Sequence, residues 1–115
     1  MTHVVMLYTT WPDAETAERA SAEAVAQRLA ACANILGPMR SIYRWNGAVE
    51  QAAEMPVLFK TTAAQAEALS AFLAGRHPYE TPAILAFEAR MNGSHPPFLK
   101  WVTAEVGNPD PDGIV

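Results

Sequence analysis

The stretch Arg28-Leu-Ala-Ala-Cys-Ala-Asn-Ile-Leu-Gly-Pro-Met-Arg-Ser-Ile-Tyr-Arg-Trp-Asn-Gly47 decides the fold. It opens as the end of a helix, turns into a strand and closes on Asn46-Gly47. An Asn-Gly pair is the strongest short-range hairpin signal, because a type I′ turn needs positive φ at both central residues. Before the turn, a period of two places Ser41, Tyr43 and Trp45 on one face and Ile42 and Arg44 on the other. After it, Ala48 to Glu50 starts a return strand that recovers an apolar run at Val57-Leu58-Phe59. A long mid-chain β-ribbon is expected. Gly37-Pro38 interrupts its outgoing strand and Pro56 its return; proline cannot donate to a ladder, so each marks a bulge, a bend or an edge.

Upstream, His3 to Thr10 reads as a strand whose near-continuous apolar run, Val4 to Tyr8, is covered on at least one face. Thr9-Thr10-Trp11-Pro12-Asp13 punctuates it. Pro12 suits a first helical turn, and Asp13 and Glu15 complement the positive end of the helix dipole. The helix is expected from about Asp13 to Ala31, with Ala17, Ala20, Ser21, Ala24, Val25 and Arg28 or Leu29 on its buried stripe. So small a stripe lets the helix lie close against a sheet. Its acidic residues read as a solvated face. Cys32 follows a helix C-terminus, where the dipole disfavours a thiolate, and reads as a small buried hydrophobe.

Downstream, Glu54, Pro56 and Lys60 stand out along the return strand, and Lys60 reads as a cation that snorkels to the surface. Thr62-Ala63-Ala64-Gln65 has capping-box spacing, Ala66, Leu69, Phe72 and Leu73 supply a packed face, and Gly75 reads as an αL terminator confirmed by Pro78. Arg76-His77-Pro78-Tyr79-Glu80 is the densest chemistry in the chain. A last strand with Ile84, Leu85 and Phe87 follows Pro82, and a helix from Phe98 to Val106 ends the ordered part. One domain over 1–106 is expected, with a disordered tail over 107–115, rich in Pro, Gly, Asp and Asn.

At 115 residues the chain suits one domain, burying roughly 60–70% of its unfolded surface. A net charge of −4 argues against nucleic acid as a partner. No apolar run approaches the ~18 residues of a membrane span. Met1-Thr2-His3 leads straight into a strand without a signal-like h-region, and the single cysteine excludes an internal disulfide. These features suit a cytoplasmic protein. The element order β-α-β-β-α-β plus a short helix is the split βαβ, or ferredoxin-like, α+β arrangement, with both helices on one face of an antiparallel sheet. Two helices cannot cover so long a ribbon, and Tyr43 and Trp45 in its overhang point to association.

Thr-Thr-Trp-Pro-Asp-Ala-Glu-Thr-Ala-Glu (9–18), Arg-Leu-Ala-Ala-Cys-Ala-Asn-Ile (28–35), Ser-Ile-Tyr-Arg-Trp-Asn-Gly (41–47), Phe-Lys-Thr-Thr (59–62) and His-Pro-Tyr-Glu-Thr-Pro (77–82) resemble, in order, the CutA family of divalent-cation tolerance proteins. The resemblance spans about Val4 to Val106. It implies a ferredoxin-like subunit with a long β2-β3 hairpin in a tight, PII-like homotrimer, and it associates the chain with copper binding and metal tolerance rather than enzymatic activity. A copper site carried over from the family would use His77, the position before it and a position at the end of strand one. Some members have histidine and cysteine there; this chain has Arg76 and Thr9, so His77 stands as the metal candidate. His3, Glu80 or Cys32 from a neighbouring subunit would have to add donors.

The cleft between subunits implied by the resemblance gathers Trp45, Lys60, His77, Tyr79 and Glu80. A cation, an imidazole, a phenol and a carboxylate beside an aromatic wall suit a small polar anion. No Gly-rich phosphate cradle supports a nucleotide. His77 and Glu80 as acid and base form no recognisable catalytic set without an activated nucleophile. A PII-like small-molecule sensor or a partner-docking scaffold with no metal role is the alternative to metal binding.

Overall fold

The computed structural model describes residues 3–107; all of the expected tail except Gly107 lies outside them. The chain is α+β, with strands β1 (Val4–Trp11), β2 (Cys32–Ile35), β3 (Met39–Trp45), β4 (Ala48–Thr62) and β5 (Ile84–Glu88), and helices α1 (Ala14–Ala26), α2 (Ala63–Arg76) and α3 (Pro96–Glu105). The strands form an antiparallel sheet in the order β2-β4-β1-β5, with β3 also paired to β4.

The turn at residues 46–47 has φ of 50° at Asn46 and 80° at Gly47, as the Asn-Gly pair requires. It sets Trp45 opposite Ala48, Tyr43 opposite Glu50, Ser41 opposite Ala52 and Met39 opposite Glu54. The outgoing strand, expected to run on from Cys32, is broken into β2 and β3. Ile35 pairs with Val57 and Met39 with Glu54, so three residues (36–38) face two (55–56). That surplus residue is the bulge expected at Gly37-Pro38. Pro56 accepts from the Leu36 amide at 3.0 Å, so the edge on which it lacks an N–H faces the same break.

The inward side chains of β1 and β4 alternate as period two demands. Leu7, Trp11, Val57 and Phe59 are fully buried beneath Ala17, Ala20 and Ala24 of α1 and Leu69 and Leu73 of α2. Each such large apolar side chain contributes about 1.5–3 kcal/mol over exposure. On the other face, α3 covers only one end, through Val4, Ala31, Val102 and Val106. Leu85 and Phe87 of β5 stay more than half exposed there.

Two helix ends depart from the expectations, whereas the start of α1 does not. Asp13 caps it, its carboxylate accepting from the Thr16 amide at 2.8 Å, a bond that holds the carboxyl below its usual 3.8. Pro12 precedes the cap rather than joining the first turn. The helix ends at Ala26 rather than Ala31, because Arg28 adopts φ of 60°. The Arg28 amide then bonds Val25 O and the Leu29 amide bonds Ala24 O, both at 3.0 Å, which is a Schellman motif with arginine where glycine is usual. Its guanidinium compensates by donating to the carbonyls of Gly107 and Ala104, each at 3.0 Å, at the end of α3. Gly107 is thereby tied to the domain. Gly75 does not terminate α2, which continues to Arg76. The stop belongs to Pro78, which forces the preceding His77 into extended backbone (φ −77°, ψ 137°).

Nothing lies within 4 Å of a Cβ built on Gly47, so a substitution there acts through the backbone alone. Gly47→Val is expected to lower the unfolding free energy by about 1–3 kcal/mol, and Gly47→Asn, which tolerates the αL region, by distinctly less. Urea denaturation of the two variants checks this; equal stability of Gly47→Val and the parent chain would contradict the turn.

Candidate ligand-binding cavity

Residues opposite one another on paired strands share a face. The register above therefore puts Ser41, Tyr43, Trp45, Glu50 and Glu54 on one side of the ribbon. They form one wall of a cavity of about 750 Å³. The other wall is Thr10 near the end of β1, with Tyr79, Glu80, Thr81 and Ala83 from the connection between α2 and β5.

His77 stands behind that second wall. Its ring stacks on Trp11, with centroids 4.4 Å apart, and meets the Tyr79 ring at 4.8 Å. Nε2 lies 2.7 Å from the Thr10 carbonyl oxygen, and a carbonyl only accepts, so Nε2 carries the proton. Nδ1 accepts the Tyr79 amide at 3.1 Å. Both ring nitrogens of a neutral imidazole are thus committed. Beneath it, the Trp11 indole N–H donates to the Thr9 hydroxyl at 2.7 Å, and that hydroxyl donates to the Val57 carbonyl at 3.0 Å. This buried ladder of bonds positions Tyr79 against the cavity.

Glu54 is the charge at the floor. Only 9% of the residue is exposed, and it borders the cavity. The Tyr79 hydroxyl donates to its Oε2 at 3.5 Å, the outer limit of a hydrogen bond. Among the described residues no ion pair reaches it. Burial, then the nearby Glu54 carboxylate, pushes the Tyr79 phenol above its usual 10.0. Glu50 and Glu80 are exposed, and among the described residues no lysine or arginine lines the cavity.

Of the residues expected to bind a ligand, Trp45, Tyr79 and Glu80 meet at the cavity, whereas His77 supports its wall. Lys60 is elsewhere. It pairs across the sheet with Met6 and Cys32, bonds Asn34 through its ammonium, and lies about 20 Å along β4 from Glu54. Sequence reasoning did not assign Thr10, Ser41, Tyr43, Glu50 and Glu54 to the site. A signal existed for the ribbon residues: counting outward from a two-residue turn at Asn46-Gly47 sets Tyr43 opposite Glu50.

The copper set implied by the resemblance does not fit. The Thr9 hydroxyl is buried and bonded to Val57, while Arg76 turns to Glu23 at 3.3 Å and lies over the Phe72 ring at 4.5 Å. His77 has no free nitrogen. Among the described residues no three His, Cys, Asp or Glu side chains converge as metal ligands would.

The family model described as CutA1 divalent ion tolerance protein matches residues 5–105. The divalent-cation tolerance protein CutA of Escherichia coli (strain S88) is 36% identical over 105 residues, which is 91% of each chain. The crystal structure of the divalent ion tolerance protein CutA1 from Ehrlichia chaffeensis superimposes with a TM-score of 0.86 at 30% identity, covering 94% of this chain and 99% of that one. A CutA structure from Archaeoglobus fulgidus, named as a periplasmic divalent cation tolerance protein, gives 0.84 at 31% identity, covering 90% and 99%. No helix of the described residues is long and apolar enough to cross a membrane.

Two outcomes follow from the geometry. His77→Ala leaves the Thr10 carbonyl and the Tyr79 amide without partners and is expected to cost about 2–4 kcal/mol by denaturant titration; a neutral result would contradict the two bonds. A raised phenol pKa gives stability that is complete below pH 10.0 and lost as the pH rises through the raised value. The melting-temperature difference between the parent and Tyr79→Phe should therefore be constant to about pH 10 and change above it. A difference independent of pH from 8 to 12 would contradict the raised phenol pKa and the burial and Glu54 contact that cause it.

Proposed function

Since this chain belongs to the CutA1 divalent ion tolerance protein family, we propose that it acts in divalent-cation tolerance as a ferredoxin-like, PII-like homotrimer that binds a small ligand in the cavity between ribbon and sheet. The observation that carries the binding role is Glu54, a buried carboxylate bordering a large cavity and in no ion pair among the described residues. A carboxylate withheld from water at the edge of a cavity, with no basic side chain paired to it, is the kind of group that functional sites retain.

Assembly is supported by the surface. Ile42, Val49, Trp45, Leu85 and Phe87 are each more than half exposed, on the ribbon and on the edge strand β5. Unpaired strand edges flanked by large apolar side chains invite pairing, and closed rotational symmetry satisfies them without leaving an open edge. The strand order, with α1 and α2 on one face, supports the ferredoxin-like reading.

The relatives' names favour a second reading, in which a metal ion itself is bound. For this chain that requires His77 to release Thr10 or Tyr79 and a neighbouring copy to add donors, so Cu(II) binding is expected to be weak. Catalysis is not proposed: His77 has no free nitrogen for acid–base work, and the relatives are named for tolerance.

Sedimentation equilibrium at low micromolar concentration tests the assembly. A three-chain species is expected, and Phe87→Ala on the exposed edge strand β5 is expected to weaken it, by on the order of 3–5 kcal/mol where the ring is buried in the interface. A stable, folded monomer would contradict the proposal.

A further inference from the structure

The cavity's lining selects a ligand class, given the proposal above that it binds a small ligand in the assembled protein. An anion is opposed by Glu50, Glu54 and Glu80, with no lysine or arginine of the described residues on the lining; Lys60, the expected counter-charge, is occupied with Asn34. A bare metal ion is opposed by geometry. Its donors must converge to about 2.0–2.6 Å, no such group exists among the described residues, and the space is about 750 Å³. Among charged ligands, that leaves a cation with carbon substituents.

The aromatic side chains point the same way. Tyr43, Trp45 and Tyr79 line the same space as the carboxylates, and ring faces attract alkylated ammonium groups while also contacting their methyl and methylene carbons. The depth is ordered as well. Glu54 is buried at the floor, where a charge partner is worth most, and the exposed Glu50 and Glu80 lie where they attract a cation from solvent. Tyr79 holds Glu54 by one long bond from a hydroxyl and supplies no charge.

We infer that the cavity binds a small organic cation, an alkylated ammonium, with its charge against Glu54 and its carbons against Trp45, Tyr43 and Tyr79.

Calorimetric titration of the full chain with choline, at neutral pH and low salt, is the test, run beside 3,3-dimethylbutanol, its uncharged carbon isostere, and beside acetate. Choline is expected to bind once per chain, about tenfold or more tighter than the isostere, with affinity falling as salt rises. Glu54→Gln is expected to erase that preference while sedimentation and melting stay near the parent values. The comparison of choline with its isostere needs no variant, so a Glu54→Gln chain that fails to fold does not rescue the inference. Equal binding of choline and isostere, or preferential binding of acetate, would overturn the cation class while leaving a binding cavity in place. No binding of any probe, with Trp45 fluorescence unmoved, would overturn the cavity reading itself.

Discussion

A fifteen-residue strand lying beside one of eight leaves a remainder, and that remainder shapes the molecule. At about 3.4 Å per residue β4 spans about 50 Å, matching the longest dimension of 52 Å. Its C-terminal half is the centre of the sheet, hydrogen-bonded to β1 on one side and β2 on the other. Its N-terminal half has only β3 for company and projects as a ribbon. Backbone pairing holds the two halves in one strand, while burial holds only the first: α1 and α2 pack on the sheet and do not reach the ribbon.

The cavity forms where these two regimes meet. Met55 is the last β4 residue paired with β1, through Trp11, so Glu54 is the first one past it. There the ribbon faces the loop that Pro78 and His77 hold in place. A carboxylate at that junction is screened from water by both walls, and the residue opposite it on β3 is Met39, which brings no charge. The same junction explains the bulge at residues 36–38, which lets the outgoing strand leave β2's line and enter the ribbon opposite Pro56.

Much of this was legible from local chemistry. Asn46-Gly47 announced the turn, period two announced the shared face of Ser41, Tyr43 and Trp45, and two prolines announced the break in the outgoing strand. The α1 terminus was not legible, because its αL residue is Arg28 rather than glycine, and what stabilises it comes from α3, remote in sequence. Gly75 misled for the opposite reason: glycine permits an αL stop but does not compel one, whereas proline compels the residue before it. At the site, Trp45, Tyr79 and Glu80 were found because aromatic and charged residues stood out. Lys60 and Glu54 stand on one face of one strand, and only the ends of the neighbouring strands decide which of them meets the cavity.

The family is named for divalent-ion tolerance, and the cation proposed for this chain rests on the lining of its cavity rather than on a tight copper centre. An acid-floored, aromatic-walled space in an assembly that covers its own sheet edges is the central claim. Native mass spectrometry of the full chain, purified without chelator and sprayed from volatile buffer, tests it most directly, since subunit number and retained mass are read together. The account expects three chains, free of copper, that take up added choline one per chain and do not take up its uncharged isostere. A folded monomer, or a trimer that retains copper stoichiometrically and ignores choline, would contradict it.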